Sequence, residues 1–370
     1  MKIGILTSSR ADFGIYLPLV KKLFQDDCFQ PEIIAFGTHL STKFGMTINE
    51  IENEGFIVKH KLKTLPKDDS PLSISLAISK TTAAFSEFWK INTFDLVFAL
   101  GDRYEMLGAV LAGSPFNVTF AHIHAGETTL GAIDNAYRHS ISLMSKYLFV
   151  TTEEYRNRAI EIIQRPNDVF NVGALSIDNL INEKLFSISE FKEKFEIDLS
   201  RPTILTTFHP ETVGFDKNEV YINELLSALK VLSSKYQVVI TMPNSDTEGL
   251  MIREKNEEFG SQNENVKLVE SFGMKGYLSC MKHCSMLIGN TSSGFVEAAF
   301  FPKWVINIGA RQEGRFVSAN ILNSLVEKNE ILMNVNKIIT MELPSSCNVY
   351  GDGKASDRII EVFKGTATIS

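Results

Sequence analysis

The chain has 370 residues, of which 44% are hydrophobic and 22% charged, and its formal net charge is −7. This length predicts about two domains, and the composition is typical of a globular protein rather than a disordered or fibrous one. The acidic balance argues against a general nucleic-acid binder, which needs a basic surface, although a few arginines can still bind a small anion.

The four cysteines are scattered, and the close pair Cys280 and Cys284 has a spacing that matches neither a zinc ribbon nor a redox motif. The opening "MKIGILTSSRAD" reaches polar residues too soon for a signal peptide. No apolar stretch approaches the roughly 20 residues that span a bilayer. We therefore expect reduced thiols and a cytoplasmic protein, with neither a membrane nor a nucleic acid as partner.

Short apolar runs alternate with amphipathic helical stretches, which is typical of parallel sheets covered by helices. The first set of strand-like runs is "KIGIL", "PEIIAFG", "FDLVFAL", "FNVTFAHI", "KYLFVTT" and "DVFNVG". After a polar segment near 178–200 the pattern restarts with "PTILTTF", "YQVVITM", "NVKLVES", "CSMLIGN" and "KWVINIG". We predict an α/β fold of two Rossmann-like domains around a cleft, with domains at 1–175 and 176–352. A last helix within 353–370 can pack back on the N-terminal domain.

Polar motifs follow the predicted strands, at the sheet edge where open α/β sheets bind ligands. In "TSSRADFG", Arg10 stands where a helix N-terminus can hold a phosphate; the alternative is a plain turn with an exposed arginine. In "LGDRYE", Asp102 and Arg103 can supply an acid or base and a positive charge. That pair can equally be a helix cap with a surface ion pair.

The stretch "HIHAGETTLGAIDNAYRH" carries three histidines, two carboxylates and an arginine. His122 and His124 alternate along a predicted strand and so face opposite sides, which argues against a shared metal. Asp134 falls at a helix N-cap and shares a helix face with Arg138. Glu127 and Asp134 suit proton transfer. We therefore predict an acid–base loop and helix without a metal, in which one of the histidines is structural.

In the second half, "TTFHPET" places His209 at a strand end, and "MPNSD" places Asn244 at the next one. In "IGNTSSGFVEAA", hydroxyls and N–H groups stand at a predicted helix N-terminus that can hold a diphosphate, and Glu297, one turn into that helix, can accept both ribose hydroxyls. Arg311 and Arg315 follow the next strand. Together these features predict a nucleotide diphosphate site; the alternative is a capping motif without a ligand.

The motifs "SSRADFG", "GDRYE", "HIHAGE…GAIDNAYRH", "FHPET", "GNTSSGFVE", "INIGARQEGR" and "YGDG" occur in an order that resembles the hydrolysing UDP-N-acetylglucosamine 2-epimerases. These enzymes begin the synthesis of sialic and related nonulosonic acids. The motifs span nearly the whole chain. The resemblance implies two Rossmann-like domains around a cleft, as in GT-B glycosyltransferases, and a homodimer or homotetramer. It implies no cofactor and no metal.

The resemblance also implies roles for individual residues. The residues expected to hold UDP are Arg10, Arg103, His209, Asn244, Thr291, Ser292, Ser293, Glu297 and Arg311. The catalytic candidates are Asp102, Glu127, Asp134, Arg138 and His209. His124 replaces a glutamate of the bifunctional animal relatives and Ala125 replaces a usual glycine, so the base stays open among Asp102, Glu127 and Asp134.

The reaction implied by the resemblance converts UDP-N-acetylglucosamine to N-acetylmannosamine and UDP. UDP is eliminated to give a 2-acetamidoglucal, which water then hydrates. One alternative is the same reaction on UDP-N,N′-diacetylbacillosamine, which belongs to legionaminic acid synthesis. Two others are a GT-B glycosyltransferase and a nucleotide-sugar sensor without catalysis. The absent "GTRPE" opening favours the hydrolysing branch, and the chain ends too soon for the kinase domain of the animal relatives.

Overall fold

A computed structural model of the protein describes residues 1–65, 68–213, 215–243 and 246–367. The chain forms two compact units, each built on a parallel sheet with helices between its strands. The first unit comprises Met1–Glu127, Asp134–Asn182 and Val349–Ser370, and the second comprises Thr128–Ile133 and Glu183–Asn348. The predicted α/β class with two Rossmann-like domains is confirmed.

The sheet of the first unit has the strand order β3-β2-β1-β4-β5-β6-β7. Its strands are β1 (Lys2–Thr7), β2 (Gln30–Phe36), β3 (Val58–Leu62), β4 (Leu96–Leu100), β5 (Phe120–Ile123), β6 (Tyr147–Val150) and β7 (Val169–Asn171). Its helices are α1 (Arg10–Gln25), α2 (Ile48–Asn53), α3 (Pro71–Ile91), α4 (Tyr104–Gly113), α5 (Asp134–Leu143), α6 (Glu153–Ile163) and α7 (Leu175–Asn182), together with the C-terminal helix, Ala355–Ala367.

The sheet of the second unit has the order β10-β9-β8-β11-β12-β13. Its strands are β8 (Thr203–Thr207), β9 (Gln237–Thr241), β10 (Val266–Val269), β11 (Met286–Gly289), β12 (Trp304–Ile308) and β13 (Ile321–Ser324). Its helices are α8 (Ile188–Phe195), α9 (Asn218–Leu232), α10 (Gly249–Ser261), α11 (Gly273–His283), α12 (Glu297–Phe300) and α13 (Lys328–Ile339), which makes the C-terminal helix α14.

The central strands are buried along their whole length because helices cover both faces of each sheet. In the first unit Phe85, Phe88 and Trp89 of α3 pack on the sheet beside Phe120. In the second, apolar residues of α9 and α13 pack on β8, β11 and β12. This buried packing fixes where each strand ends, and therefore where the polar motifs lie.

The sequence analysis missed two strands, β3 and β13, and both lie at the edge of a sheet. β3 reads "VKHKL" and buries only Val58, while its other residues are partly or fully exposed. β13 reads "ILNS" and buries only its two end residues. An edge strand covers less apolar surface than a central one, so its sequence carries a weaker apolar signal.

Helices α7 and α14 both belong to the first unit. The sequence analysis places the boundary after residue 175, whereas α7 lies in the first unit, where Asn179 donates to the Gly14 carbonyl at 2.8 Å. Asp178 of α7 accepts the backbone N–H of Ala355 and of Ser356 at the start of α14, at 2.9 and 2.8 Å. Phe363 of α14 packs against aromatic rings of the first sheet.

All four cysteines are free thiols. Among the described helices, none is long and apolar enough to cross a membrane.

Candidate active site

Polar side chains of the first unit meet where the neighbouring strands β4, β5 and β6 end. Asp102 follows β4, His124 and Glu127 follow β5, and Thr151 follows β6. Helix α5 adds Arg138. We call these five residues the first-unit cluster. It lies at the carboxyl ends of parallel strands, where such sheets bind ligands.

Arg138 connects the parts of this cluster. Its guanidinium is almost fully buried and makes a short ion pair with the Asp102 carboxylate. Nη1 donates to the His124 carbonyl at 2.8 Å and lies 3.8 Å from Glu127 Oε2. The sequence places Arg138 on one helix face with Asp134, but the pairing with Asp102, 36 residues earlier, could not be read from spacing.

Glu127 and His124 form a second pair within the cluster. His124 Nδ1 lies 2.8 Å from Glu127 Oε1, which also accepts the Thr151 hydroxyl at 3.2 Å. The Glu127 side chain is 1% exposed. The turn between them requires glycine at Gly126, since its φ is +72° and a Cβ there would lie 2.1 Å from the Tyr155 carbonyl oxygen.

His122 is a structural residue. Its Nε2 donates to the Gly101 carbonyl at 2.7 Å, and its Nδ1 lies 2.9 Å from the Ser142 hydroxyl. Burial, with the positive charge of Arg138 adding to it, lowers the pKa of His122 to about 3, so the ring is neutral. His124 lies beyond the end of β5 with φ +66°, so the strand alternation that the sequence suggests does not govern its direction.

Asp134 is buried and is the first residue of α5, one position inside the N-cap that the sequence predicts. Burial and the negative charge of Asp134 together raise the pKa of Tyr137. The segment between Glu127 and Asp134 belongs to the second unit, in which Leu130 N–H donates to the Glu313 carbonyl at 3.0 Å. The stretch from 122 to 139, which the sequence predicts as one loop and helix, is therefore divided between the two units.

In the turn "SSRAD", the small polar residues bind one another. Asp12 accepts the N–H groups of Ser8 and Ser9 at 2.8 and 2.9 Å, and Ser9 caps α1. Burial raises the pKa of Asp12, but the hydrogen bond and charge of His39 together with the hydrogen bonds from Ser8 and Thr7 lower it, and the pKa is lowered overall. Arg10 is the first, partly exposed residue of α1, where an anion could be contacted.

Arg103 makes a contact inside its own unit. Its Nε and Nη2 donate to the two oxygens of Glu105 at 3.1 and 3.0 Å. The Glu105 side chain is fully buried, so this ion pair is not the surface pair considered from the sequence. Asp102 pairs with Arg138 rather than acting with Arg103 as a unit.

In the second unit His209 follows β8 and Asn290 follows β11, the two adjacent strands at which the strand order reverses. The Asn290 amide accepts the His209 N–H at 2.7 Å and donates to the His209 carbonyl at 2.8 Å. Gly289 allows this approach, because a Cβ there would lie 2.1 Å from the Thr207 carbonyl oxygen. His209 is thus held at a position where an open α/β sheet binds ligands.

The segment after Asn290 differs from the prediction. The sequence predicts a helix directly after "GNTSSG", with Glu297 one turn in; the structure has a 3₁₀ turn at Ser292–Gly294 and then the four-residue α12, which Glu297 begins. The hydroxyls of Ser293 and Thr291 lie 3.1 Å apart, and Tyr277 OH lies 2.6 Å from Ser293 Oγ. Burial raises the pKa of Tyr277 to about 12. Ser292 is exposed.

The two loop arginines are buried and bound. Arg311 donates to the Pro210 carbonyl and, at 3.2 Å, to Asp246. These two bonds connect the loop after β12 to the loops after β8 and β9. Arg315 Nε donates to Gln312 at 2.7 Å, and Gln312 donates to the Asn290 carbonyl at 2.7 Å. These bonds fix the shape of the loop. Asn244 lies outside the described residues.

In the described parts of the chain, no group of three His, Cys, Asp or Glu side chains is arranged to hold a metal ion.

Sequence reasoning missed several residues that shape these sites, namely His39, Thr151, Glu211, Tyr277 and Asn290. Glu211 Oε1 accepts the Ala310 N–H at 2.7 Å and so orders the loop that carries Arg311. Glu211 and Asn290 stand inside quoted motifs, so their position next to a predicted ligand was a usable signal. His39 and Tyr277 stand outside every motif, and no sequence signal pointed to them.

Three comparisons place the chain among known proteins. The family described as UDP-N-acetylglucosamine 2-epimerase matches residues 21–364. The UDP-N,N'-diacetylbacillosamine 2-epimerase (hydrolyzing) of Legionella pneumophila is 31% identical over 98% of this chain and 95% of its own. The GDP/UDP-N,N'-diacetylbacillosamine 2-epimerase (hydrolyzing) of Campylobacter jejuni is 35% identical over 92% of this chain and 88% of its own.

A solved structure shares the fold. The UDP-GlcNAc 2-epimerase from Neisseria meningitidis bound to UDP-GlcNAc has a TM-score of 0.83 at 18% identity and covers 99% of this chain and 100% of its own. The chain is a member of the UDP-N-acetylglucosamine 2-epimerase family.

Proposed function

We propose that the protein is a hydrolysing 2-epimerase, which converts a UDP-linked 2-acetamido sugar to its free C2 epimer and UDP. The observation that carries the proposal is the first-unit cluster, in which Asp102 pairs with Arg138 while Glu127 pairs with His124. Carboxylates and an imidazole in fixed pairs at strand ends suit proton transfer.

The first step removes the proton at C2 of the sugar. This proton is weakly acidic, so its removal must accompany or follow the departure of UDP from C1. Of the three candidate bases we assign Asp102. Its side chain is 22% exposed, against 1% for Glu127, so it is more accessible to a bound sugar, and Arg138 holds its carboxylate in place. Asp134, at the start of α5, remains a candidate for contact with the sugar.

The departing diphosphate develops negative charge, and fixed donors that stabilise such charge are usually the largest catalytic contribution. We assign this role to Arg10, Arg103, Arg311, Asn244 and the hydroxyls of Thr291, Ser292 and Ser293, with His209 near the leaving phosphate. Glu297 would accept the ribose hydroxyls. Helix α12, with four residues after a 3₁₀ turn, is too short to sum an appreciable dipole, so a helix N-terminus contributes little to this charge stabilisation.

In the second step water adds to C1 of the 2-acetamidoglucal while C2 is reprotonated on the opposite face. The sum of the two steps is a hydrolysis with inversion at C2. Nothing is oxidised or reduced, so the scheme uses no nicotinamide. A homo-oligomer and a cytoplasmic location stay predictions from the sequence.

The substrate has two candidates. The motifs resemble enzymes that act on UDP-N-acetylglucosamine, and the matching family carries that name. The two curated relatives are both named for diacetylbacillosamine, which favours UDP-N,N'-diacetylbacillosamine as the alternative. The two sugars differ at C4 and C6, away from the bonds that react, so the same chemistry serves both.

The test supplies each UDP-sugar separately to the purified protein and follows UDP release and the sugar product by chromatography. Free UDP with a free manno-configured sugar is the expected result, and the faster substrate identifies the biological one. A UDP-linked manno product would instead indicate a non-hydrolysing epimerase. Intact substrates that react only when a sugar acceptor is added would replace the proposal with a glycosyltransferase.

A further inference from the structure

We propose that His124 is the acid that protonates C2 in the second step, and that Glu127 is its positioning residue. This inference rests on the proposed function and adds a catalytic residue to it.

The stereochemistry of the reaction calls for a second proton-transfer group. Epimerisation removes the proton from one face of C2 and returns it to the other. A single carboxylate fixed beside one face cannot reach both. If Asp102 takes the first proton, another side chain must deliver the second.

The contacts of His124 suit the delivery of this second proton. Its Nδ1 is held by Glu127 Oε1 at 2.8 Å, and Glu127 is itself fixed by the Thr151 hydroxyl and buried to 1% exposure. A carboxylate beside one ring nitrogen fixes the orientation of the imidazole. The opposite nitrogen, Nε2, is then the atom that gives up a proton.

The Nε2 atom of His124 is buried and has no hydrogen-bond partner among the described residues. Buried polar atoms are nearly always paired, so an unused one in a native fold calls for an explanation. The backbone supports the same conclusion, because His124 adopts φ +66°, which a side chain with a Cβ rarely takes. Arg138 holds that conformation by binding the His124 carbonyl at 2.8 Å. The ring itself is 11% exposed, so it reaches the surface at the strand ends.

The neighbouring histidines do not fit the role. Both ring nitrogens of His122 are hydrogen-bonded within the fold. His139 lies on α5, and burial together with the charge of Arg138 lowers its pKa to about 4, so it carries no proton to give near neutral pH. Of the charged groups, Glu127 on its own loop contacts the His124 ring, Arg138 of α5 binds the His124 carbonyl, and Asp102 pairs with Arg138 in turn.

The proton balance closes over the two steps. In the first step, Asp102 takes the C2 proton and the electrons of the C2–H bond form the C1=C2 bond. The C1–O bond breaks at the same time, and UDP leaves with the electron pair of that C1–O bond. In the second, the C1=C2 bond takes a proton from His124 Nε2, and water bonds to C1. The remaining proton of that water restores the imidazolium, and Asp102 loses its proton to solvent. The sum consumes one water and releases one proton.

The test separates the two steps in wild type, His124→Gln, Glu127→Gln and the double variant. We expect His124→Gln to keep UDP release within about threefold while formation of the epimerised sugar falls about 100-fold or more, so that 2-acetamidoglucal accumulates. Supplied with the glycal and water directly, the variant should fail to hydrate it. His60→Gln is the matched control, because His60 also pairs with a glutamate, Glu32, at 2.9 Å, but on β3, away from the cluster.

Glu127→Gln should lower the kcat of glycal hydration with little change in KM and alter the pH dependence of that step. The double variant should be no slower than His124→Gln, since the two residues act as one unit. Epimerised sugar at the wild-type rate from folded His124→Gln would overturn the inference, as would equal loss of UDP release and sugar formation. If the wild type releases no UDP from either substrate, the proposed function itself fails, which is a distinct outcome.

Discussion

The first unit pairs two carboxylates with an arginine and a histidine where its strands end, whereas the second unit places hydroxyls and an amide there, beside the buried Arg311–Asp246 ion pair. The six strands β3-β2-β1-β4-β5-β6 and the six strands β10-β9-β8-β11-β12-β13 follow the same order, so the two edges are topologically equivalent. In the first, Arg138 connects Asp102 and the His124 loop. In the second, Asn290 connects the loops after β8 and β11 through neutral hydrogen bonds.

This difference shows that strand order determines where a site forms, and that the side chains at the strand ends determine which chemistry the site can perform. A buried carboxylate–guanidinium set costs desolvation energy, and such sets are often found where proton transfer is needed. Hydroxyls and amides bind an anion without adding a charge that must be neutralised when the ligand leaves. The contrast supports the proposal that proton transfer belongs to the first-unit cluster and that the hydroxyls of the second unit bind the diphosphate together with the proposed arginines.

The largest expected effect comes from Arg138→Met. The change leaves Asp102 and the buried Glu127 without their cation, so we expect loss of measurable activity and a loss of about 3–5 kcal/mol of unfolding free energy. Urea denaturation and the UDP-release assay measure both. The control Arg158→Met breaks a surface pair with Glu154 and should cost about 0–1 kcal/mol. Equal losses of activity and of unfolding free energy in Arg138→Met and Arg158→Met would contradict a special role of the first-unit cluster.

The next effect separates catalysis from stability. Asp102→Asn keeps an oxygen for Arg138 but removes the base, so kcat should fall about 100- to 10,000-fold while the midpoint of thermal unfolding falls less than it does in Arg138→Met. Steady-state kinetics and calorimetry on the same preparation test this. Activity within tenfold of the wild type would exclude Asp102 as the base.

How far the sequence predicts the molecule depends on whether a feature is local. The buried central strands can be predicted because each is a continuous apolar run. The edge strands β3 and β13 contain polar as well as apolar residues, and they were missed. The pairing of Asp102 with Arg138 joins residues far apart in the chain and needs the fold. The helix predicted directly after "GNTSSG" begins only at Glu297 and is four residues long, because a 3₁₀ turn precedes it, in which the Thr291 hydroxyl accepts the Ser293 N–H.

A smaller effect is the pH dependence of stability. His122 has its pKa lowered to about 3 in the folded chain, so below about pH 6.5 the unfolded chain binds a proton that the folded chain does not. Stability should therefore fall as the pH drops from about 6.5, by about 1.4 kcal/mol per pH unit for this residue. Urea midpoints between pH 7 and 5 measure the slope. His122→Gln should reduce the slope by about 1.4 kcal/mol per pH unit, while His139, whose pKa is lowered to about 4, still contributes. An unchanged slope would contradict a neutral, buried His122.

The smallest expected effect lies in the second unit. Ser292 is exposed, so Ser292→Ala should leave folding unchanged but weaken UDP binding roughly 2- to 12-fold, the loss of one hydrogen bond. Titration calorimetry with UDP measures this, and Ser261→Ala, at the exposed end of α10, is the control. A change in kcat with no change in UDP affinity would assign Ser292 to catalysis and weaken the contrast between the units.

The most direct test of the central claim is proton NMR of the reaction in D₂O. Elimination followed by hydration predicts that each molecule of free manno-configured sugar carries one deuterium at C2 and that UDP appears at the same rate. A free sugar that keeps its original C2 proton, or a substrate that exchanges C2 without releasing UDP, would contradict the account.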